Sequence, residues 1–353
     1  MLKPVRPVYG RGKEHFMPKD IIVIGASAGG IEALRVLVAA LPEDLPASVF
    51  VVLHTSPESP GMLAGILDRF GKIPAVTAHD GERIRPGRIY VAPPDRHLLV
   101  EPGVVRTTRG PKENRFRPAV DPLFRSAAQT YGPRVIGVIL TGYLDDGTAG
   151  LWTIKQLGGT TIVQDPSDAL VPFMPQNALD HVKVDYVLPL DEIAPLLVRL
   201  TSEPMEERGV HQVPKKVEIE VNIAKEQKAI DAGVLELGEP SNYACPECHG
   251  VLLQMKDGTL YRFRCHTGHA YSIESLLADI TEKMDDALWN SIRAFEEGEL
   301  FMRHMAEHLG EGQHNQSAES FLKHAEEARR RANLMRQAAM NGDAVKTGDS
   351  DAR

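Results

Sequence analysis

Ser27 sits in the stretch "IIVIGASAGGIEAL" (21–34), among small residues, where an apolar, β-branched run gives way to helical spacing. The turn reads Gly25-Ala26-Ser27-Ala28-Gly29-Gly30 and fits G-x-S-x-G, the pattern that displays a serine hydroxyl on a sharp strand-to-helix turn. Taken alone it has two other readings: close packing of a helix on a sheet, or a cradle for phosphate at a helix N-terminus. The dinucleotide pattern G-x-G-x-x-G is not met, because Ser27 stands where its second glycine belongs. A serine hydroxyl is a poor nucleophile, so acyl chemistry needs a base to take its proton and an acceptor to orient that base. His54 closes a second apolar run, "SVFVVLHT", and Asp145 and Asp146 lie in a glycine-flanked loop after a third, "RVIGVILTGY". Each has a structural alternative: a histidine at a strand end braces a loop, and paired aspartates form turns or cap helices. Together they put a nucleophile, a base and an acid at one sheet edge.

The elements that must position them alternate. Strand-like "SVFVVLHT", "GRIYVAPP", "RVIGVILTGY" and "GTTIVQD" are separated by helix-like segments such as "GTAGLWTIKQLG", and "DEIAPLLVRL" reads as a closing helix. This predicts an α/β fold with a doubly wound, largely parallel sheet, in which functional residues gather where strands end. The order Ser, His, Asp differs from the Ser, Asp, His order of the α/β-hydrolases and disfavours that fold. With 353 residues, two or three units are expected. We place a flexible tail at 1–19, the catalytic domain at 20–202 and a charged linker at 203–240, with "VEIEVNI" as a candidate strand. A Cys/His module follows at 241–270, then a helical hairpin at 271–340 and a disordered tail at 341–353. Leu276, Ile280, Met284, Leu288, Ile292 and Phe295 trace one stripe of that hairpin, and Phe321, Ala325, Ala328, Ala332 and Met335 the other. The formal net charge of -8 argues against a nucleic-acid partner. No apolar run is long enough for membrane insertion, and the N-terminus lacks the apolar core of a secretory signal, so a cytoplasmic location is expected.

The only three cysteines cluster near the C-terminal side. "CPEC" supplies Cys245 and Cys248, and "CHTGH" supplies Cys265, with His266 and His269 behind it. Three thiolates and an imidazole close a tetrahedral zinc site with no open position, so the zinc expected here is structural. His269 is the preferred fourth ligand on its C-x₃-H spacing, with His266 and His249 as alternatives. A redox C-x-x-C would lack its βαβ setting and leave Cys265 unexplained. His304 and His308, four apart on a helix, lack a neighbouring carboxylate motif and read as a solvated face.

The motifs "IGASAGG", "VVLHTSP", "DGERIRPGRIYVAPPDRHL", "NRFRPAVDPLFRSAA", "GVILTGYLDDGTAGL" and "MPQNAL" resemble, in order and spacing over residues 20–200, the CheB-type protein-glutamate methylesterases of bacterial chemotaxis. The resemblance implies Ser27 as nucleophile, His54 as base and Asp146, directly before Gly147, as the orienting acid. It puts Ala28 and Tyr143 at the oxyanion and substrate groove; Ala28 stands where the best-known members carry threonine. Asp95, His97, Asn114, Arg115 and Arg117 either line the groove or brace loops. The implied reaction is hydrolysis of glutamate γ-methyl esters on a methylated chemoreceptor or related signalling protein, with glutamine deamidation feasible and no catalytic cofactor. A signalling adaptor that keeps the fold for binding is the second reading, and an oxidoreductase or nucleotide-binding domain the third. With about twenty residues before the first strand, no receiver domain is expected. The zinc module and helical pair, which have no counterpart in the well-known enzymes, are expected to dock a partner or form homo-oligomers. Removing them is then expected to spare small-ester hydrolysis.

Overall fold

The computed structural model describes residues 17–205, 212–310 and 315–348 and divides into two compact units after Leu276. The first unit opens with β1 (Met17–Pro18), β2 (Ile21–Ala26), α1 (Gly30–Ala40), β3 (Ser48–Leu53), α2 (Leu63–Phe70), β4 (Ala75–Thr77) and β5 (Arg88–Val91). The hairpin β6 (His97–Glu101)–β7 (Val104–Thr108) and α3 (Val120–Tyr131) lead to β8 (Val135–Ile139), α4 (Thr148–Gln156), β9 (Thr160–Gln164), α5 (Phe173–His181), β10 (Tyr186–Leu188) and α6 (Leu190–Ser202).

Seven strands form one parallel sheet in the order β10-β9-β8-β2-β3-β5-β4. The chain leaves β2 on one side through β3 and returns on the other through β8, which opens a crevice at the carboxyl ends of these three strands. All six residues of β2 are buried because both sheet faces are covered. Ile22 and Ile24 pack in one core with Leu34, Leu37 and Leu197, while Ile21 and Val23 pack in the other with Val120, Phe124 and Leu151. Each such side chain contributes about 1.5–3 kcal/mol when fully buried, which anchors the strand ends that carry the site. In α1 the buried stripe is Gly30, Ala33, Leu34, Leu37 and Val38, while the apolar Ile31 and Val36 are exposed.

Beyond residue 202 the structure departs from the expected linker. β11 (Pro204–Met205) pairs antiparallel with β1, so Met17 and Pro18 belong to a strand pair; residues 1–16 and 206–211 lie outside the described residues. The "VEIEVNI" segment is a helix, α7 (Lys215–Ala224), not a strand. Its alternation imitates a strand, yet Val217, Glu220, Val221 and Ala224 fall on one buried helical face. Glu220 is tolerated there because Arg262 (2.7 Å) and Arg264 (2.8 Å) reach it. After α8 (Ala229–Ala232), β12 (Glu239–Ala244), β13 (Val251–Asp257), β14 (Leu260–Cys265) and β15 (Ala270–Ser272) form an antiparallel sheet. Ile219, Ile223, Leu237, Leu253 and Met255 give it a core shared with α7. Arg262 and Arg264, two apart on β14, thus share a face and also bind Asp257 and Glu113 (3.1 Å). Glu113 in turn pairs with Arg125 of α3. Burial alone would raise the Glu220 carboxyl, but the three arginines hold it well below the ordinary range. Stripping one partner from such a buried cluster costs about 3–5 kcal/mol, so this segment is part of the first unit's interior.

The second unit is an antiparallel pair made by α9 (Ile273–Gly310), whose first turn belongs to the first unit, and α10 (Asn315–Gly348). Ile292, Ala306, Ala325, Ala328 and Ala332 are buried, and Arg336–Glu296 and Arg303–Glu326 ion pairs set the register. Met284, expected in the stripe, is exposed. The expected disorder from 341 is replaced by α10 up to Gly348, since extending a formed helix orders one residue per added hydrogen bond. Residues 311–314, in the predicted break, and 349–353 are outside the described residues. Among the described residues, no helix is long and apolar enough to cross a membrane.

Candidate active site

Ser27 follows β2 directly, where the backbone must turn sharply into α1. Gly29 makes the turn at φ 75°, a left-handed conformation open to glycine. Ser27 N–H donates to Thr141 O (3.0 Å) just past β8, tying the serine turn to the neighbouring strand. Gly142 is required next to it: a Cβ there would lie 2.7 Å from Ser27 Cβ. Gly30 N–H is used by Ser27 O, whereas among the described residues the N–H groups of Ala28 and Gly29 find no acceptor. Two unpaired donors beside a serine are what an oxyanion needs.

His54 stands one residue past β3, held by its N–H to Ala26 O (3.2 Å). Its Nε2 meets Asp146 Oδ2 at 2.7 Å, and its ring lies flat on Phe116, with centroids 3.8 Å apart. Nδ1 is buried and has no hydrogen-bond partner among the described residues. Ser27 and His54 both line a cleft of about 710 Å³, together with Ala28, Phe116, Arg115 and Arg117. An Nε2 committed to a carboxylate fixes the tautomer or stabilises the imidazolium, and leaves Nδ1 to handle a proton.

Asp146 is buried and sits at the N-terminus of α3. It accepts from the N–H groups of Val120 (2.6 Å) and Asp121 (3.3 Å), from Asn114 Nδ2 (2.9 Å) and from His54. Burial pushes its carboxyl up, yet the His54 contact and these donors hold it below the usual range, so it stays ionised. Asp121, without contact to His54, is pushed to about 7 by burial and the charge of Asp146. Asp145 bonds to Ser272 Oγ (2.6 Å), and burial raises it well above the ordinary value. Of the two loop aspartates, Asp146 alone is bonded to His54.

The other groove candidates divide. Arg115 and Arg117 line the cleft, and Asp95 accepts two bonds from Arg117 (2.8 and 2.6 Å) and holds it. His97 is fully buried and braces loops, with Nε2 bonded to Pro111 O and Nδ1 accepting from Ala119 N–H. Tyr143 is 57% exposed, stacks on Phe173 and does not line the cleft. Phe116 and the N–H groups of α3 were not singled out from the sequence; "NRFRPAVD" carried them only as part of a motif.

A second cluster lies on the antiparallel sheet. Cys245, Cys248, Cys265 and His269 bring one ligand atom each to within 4.8 Å of one another. Cys245 Sγ and Cys265 Sγ each lie 3.6 Å from His269 Nδ1, and Cys248 lies 3.6 Å from Cys265. A tetrahedral metal with bonds near 2.3 Å has edges of about 3.7 Å, so the donor set fits a metal ion. His249 and His266 are not in this group, and His304 and His308 are exposed on α9.

The parallel α/β sheet thus brings a serine, a histidine and a carboxylate together at its central strand ends. The chain belongs to the CheB methylesterase family, whose sequence profile matches residues 22–197. It is 40% identical over 193 residues to a Leptospira interrogans protein that bears the double name protein-glutamate methylesterase/protein-glutamine glutaminase provisionally; the match covers 54% of this chain and all of that one. It is 43% identical over 182 residues to protein-glutamate methylesterase/protein-glutamine glutaminase 2 of Anaeromyxobacter dehalogenans, covering 52% of this chain and 53% of the relative. The crystal structure of the Thermotoga maritima CheB methylesterase catalytic domain superposes with a TM-score of 0.50 at 38% identity, over 51% of this chain and 98% of that domain.

Proposed function

We infer that this protein hydrolyses glutamate γ-methyl esters on a methylated chemoreceptor or related signalling protein, and that glutamine deamidation uses the same site. The observation that carries this reading is the shared cleft of Ser27 and His54, with Nε2 of His54 bonded to Asp146 and Nδ1 left without a partner. Ser27 Oγ attacks the ester carbonyl carbon and its proton passes to Nδ1 of His54. The Ala28 and Gly29 N–H groups receive the oxyanion, and buried Asp146 stabilises the imidazolium through Nε2. The C–O bond to the methoxy group then breaks, and His54 returns the proton so that methanol leaves. Water, deprotonated by His54, attacks the acyl-Ser27 carbonyl; the C–O bond to Ser27 Oγ breaks, His54 returns the proton to Oγ, and the glutamate is freed. With an amide in place of the ester, ammonia leaves instead. No step calls for a metal. The Cys/His set is read as a structural zinc site, its three thiolates and imidazole closing the coordination sphere.

A fluorophosphonate, which reacts preferentially with activated serines, tests the site. One adduct per chain, mapped to the peptide containing Ser27 by mass spectrometry and absent in His54→Ala, is the expected result. Labelling elsewhere, or labelling indifferent to His54, would contradict it.

A further inference from the structure

Asn114 lies where the carboxylate that orients His54 meets the C-terminal sheet. It is 5% exposed and adopts φ 49°, a left-handed conformation that asparagine accepts better than most residues. Its backbone is clamped by the start of β15: Asn114 N–H donates to Ala270 O (2.8 Å) and Ala270 N–H donates to Lys112 O (3.2 Å). Its side chain is fully used. Nδ2 donates to Asp146 Oδ1 (2.9 Å) and Asp121 Oδ2 (3.0 Å), while Oδ1 accepts from Ser272 N–H (2.9 Å) and Ser275 Oγ (3.2 Å). The amide has only one orientation, because a backbone N–H can only donate and the ionised Asp146 carboxylate can only accept. The hydroxyl of Ser272 continues to Asp145, next to Asp146.

We propose that Asn114 is a positioning residue for Asp146, and that β15 and the turn after it set Asn114 through Ser272 and Ser275. The C-terminal sheet is then a working part of the esterase site, not a docking module that can be removed while hydrolysis continues. This rests on the serine-hydrolase reading above. Without Asn114, Asp146 Oδ1 keeps only the long bond from Asp121 N–H and faces the Asp121 carboxyl, so the carboxylate is held against His54 through Oδ2 and Val120 N–H alone.

The test is steady-state hydrolysis of p-nitrophenyl acetate by full-length variants. Asn114→Ala is expected to lower kcat about ten- to a hundredfold, the kinetic equivalent of one charged hydrogen bond, with KM unchanged. Ser275→Ala, which removes the hydroxyl bonded to Asn114 Oδ1 and leaves Asn114 and both its donor bonds in place, is expected to lower kcat about two- to tenfold. A residue acting through Asp146 adds little once Asp146 is disabled, so Asn114→Ala in an Asp146→Asn background is expected to cost less than about twofold more. Wild-type kcat in both single variants would overturn the proposal, as would the full Asn114→Ala factor persisting in the Asp146→Asn background. If Asn114→Ala does not fold, Ser275→Ala decides on the same criteria, alone and with Asp146→Asn. A wild type without Ser27-dependent turnover is a separate result: it removes the serine-hydrolase reading and this inference with it.

Discussion

Ser27→Ala is expected to lower turnover of p-nitrophenyl acetate by about 10⁴- to 10⁶-fold while leaving thermal unfolding unchanged. The first half follows from how such sites work: without the hydroxyl no acyl intermediate forms, and the remaining members of a triad recover little. What persists is the contribution of the oxyanion donors and of binding. The second half follows from the local structure. The turn is held by the Ser27 N–H bond to Thr141 and by the glycines beside it, none of which needs the side-chain oxygen. The measurement is kcat by spectrophotometry alongside a thermal melt. A serine retained only to let helix and sheet approach would give the reverse pattern, with activity kept.

Cys265→Ser is expected to abolish binding of about one zinc per chain and to destabilise the first unit by several kcal/mol, since structural zinc contributes on the order of 10 kcal/mol to folding where the site is not preformed. Cys245 and Cys265 are fully buried, and three sulfurs this close repel as thiolates unless a cation lies among them. The loss should spread. β15 starts directly after His269 and carries the Ala270 and Ser272 contacts to Asn114, so chelation should reduce ester hydrolysis together with melting temperature. Metal analysis and melts with and without chelator check this. A metal-free preparation whose melting ignores both zinc and chelator would contradict it.

The sheet was legible in the sequence because its strands are covered on both faces and read as unbroken apolar runs. The apolar run that opens "IIVIGASAGGIEAL" falls within β2, and "SVFVVLHT" contains all of β3. The ends of those runs also located Ser27 and His54, since a polar residue after a buried strand stands at the sheet edge. The Cys/His cluster was legible from spacing alone. What stayed hidden was burial of charge. Glu220, Arg262 and Arg264 satisfy one another across α7 and β14, and Glu220 lies in what reads in the sequence as a charged linker. That misreading turned a helix into a strand and made the C-terminal sheet seem separable. Asn114 stayed ambiguous for the same reason: its four partners come from three stretches of chain, two of them distant, and no local pattern announces them. Tyr143 shows the opposite limit, a position transferred by resemblance that the cleft itself does not include.

The most direct measurement is release of radioactive methanol from chemoreceptor membranes carrying methyl-labelled glutamates, with wild-type protein and Ser27→Ala compared at equal concentration. Release by the wild type that disappears in the variant is the predicted result. Folded, fluorophosphonate-reactive wild type that releases no methanol from a cognate receptor would contradict the assignment of glutamate methyl esters as its substrate.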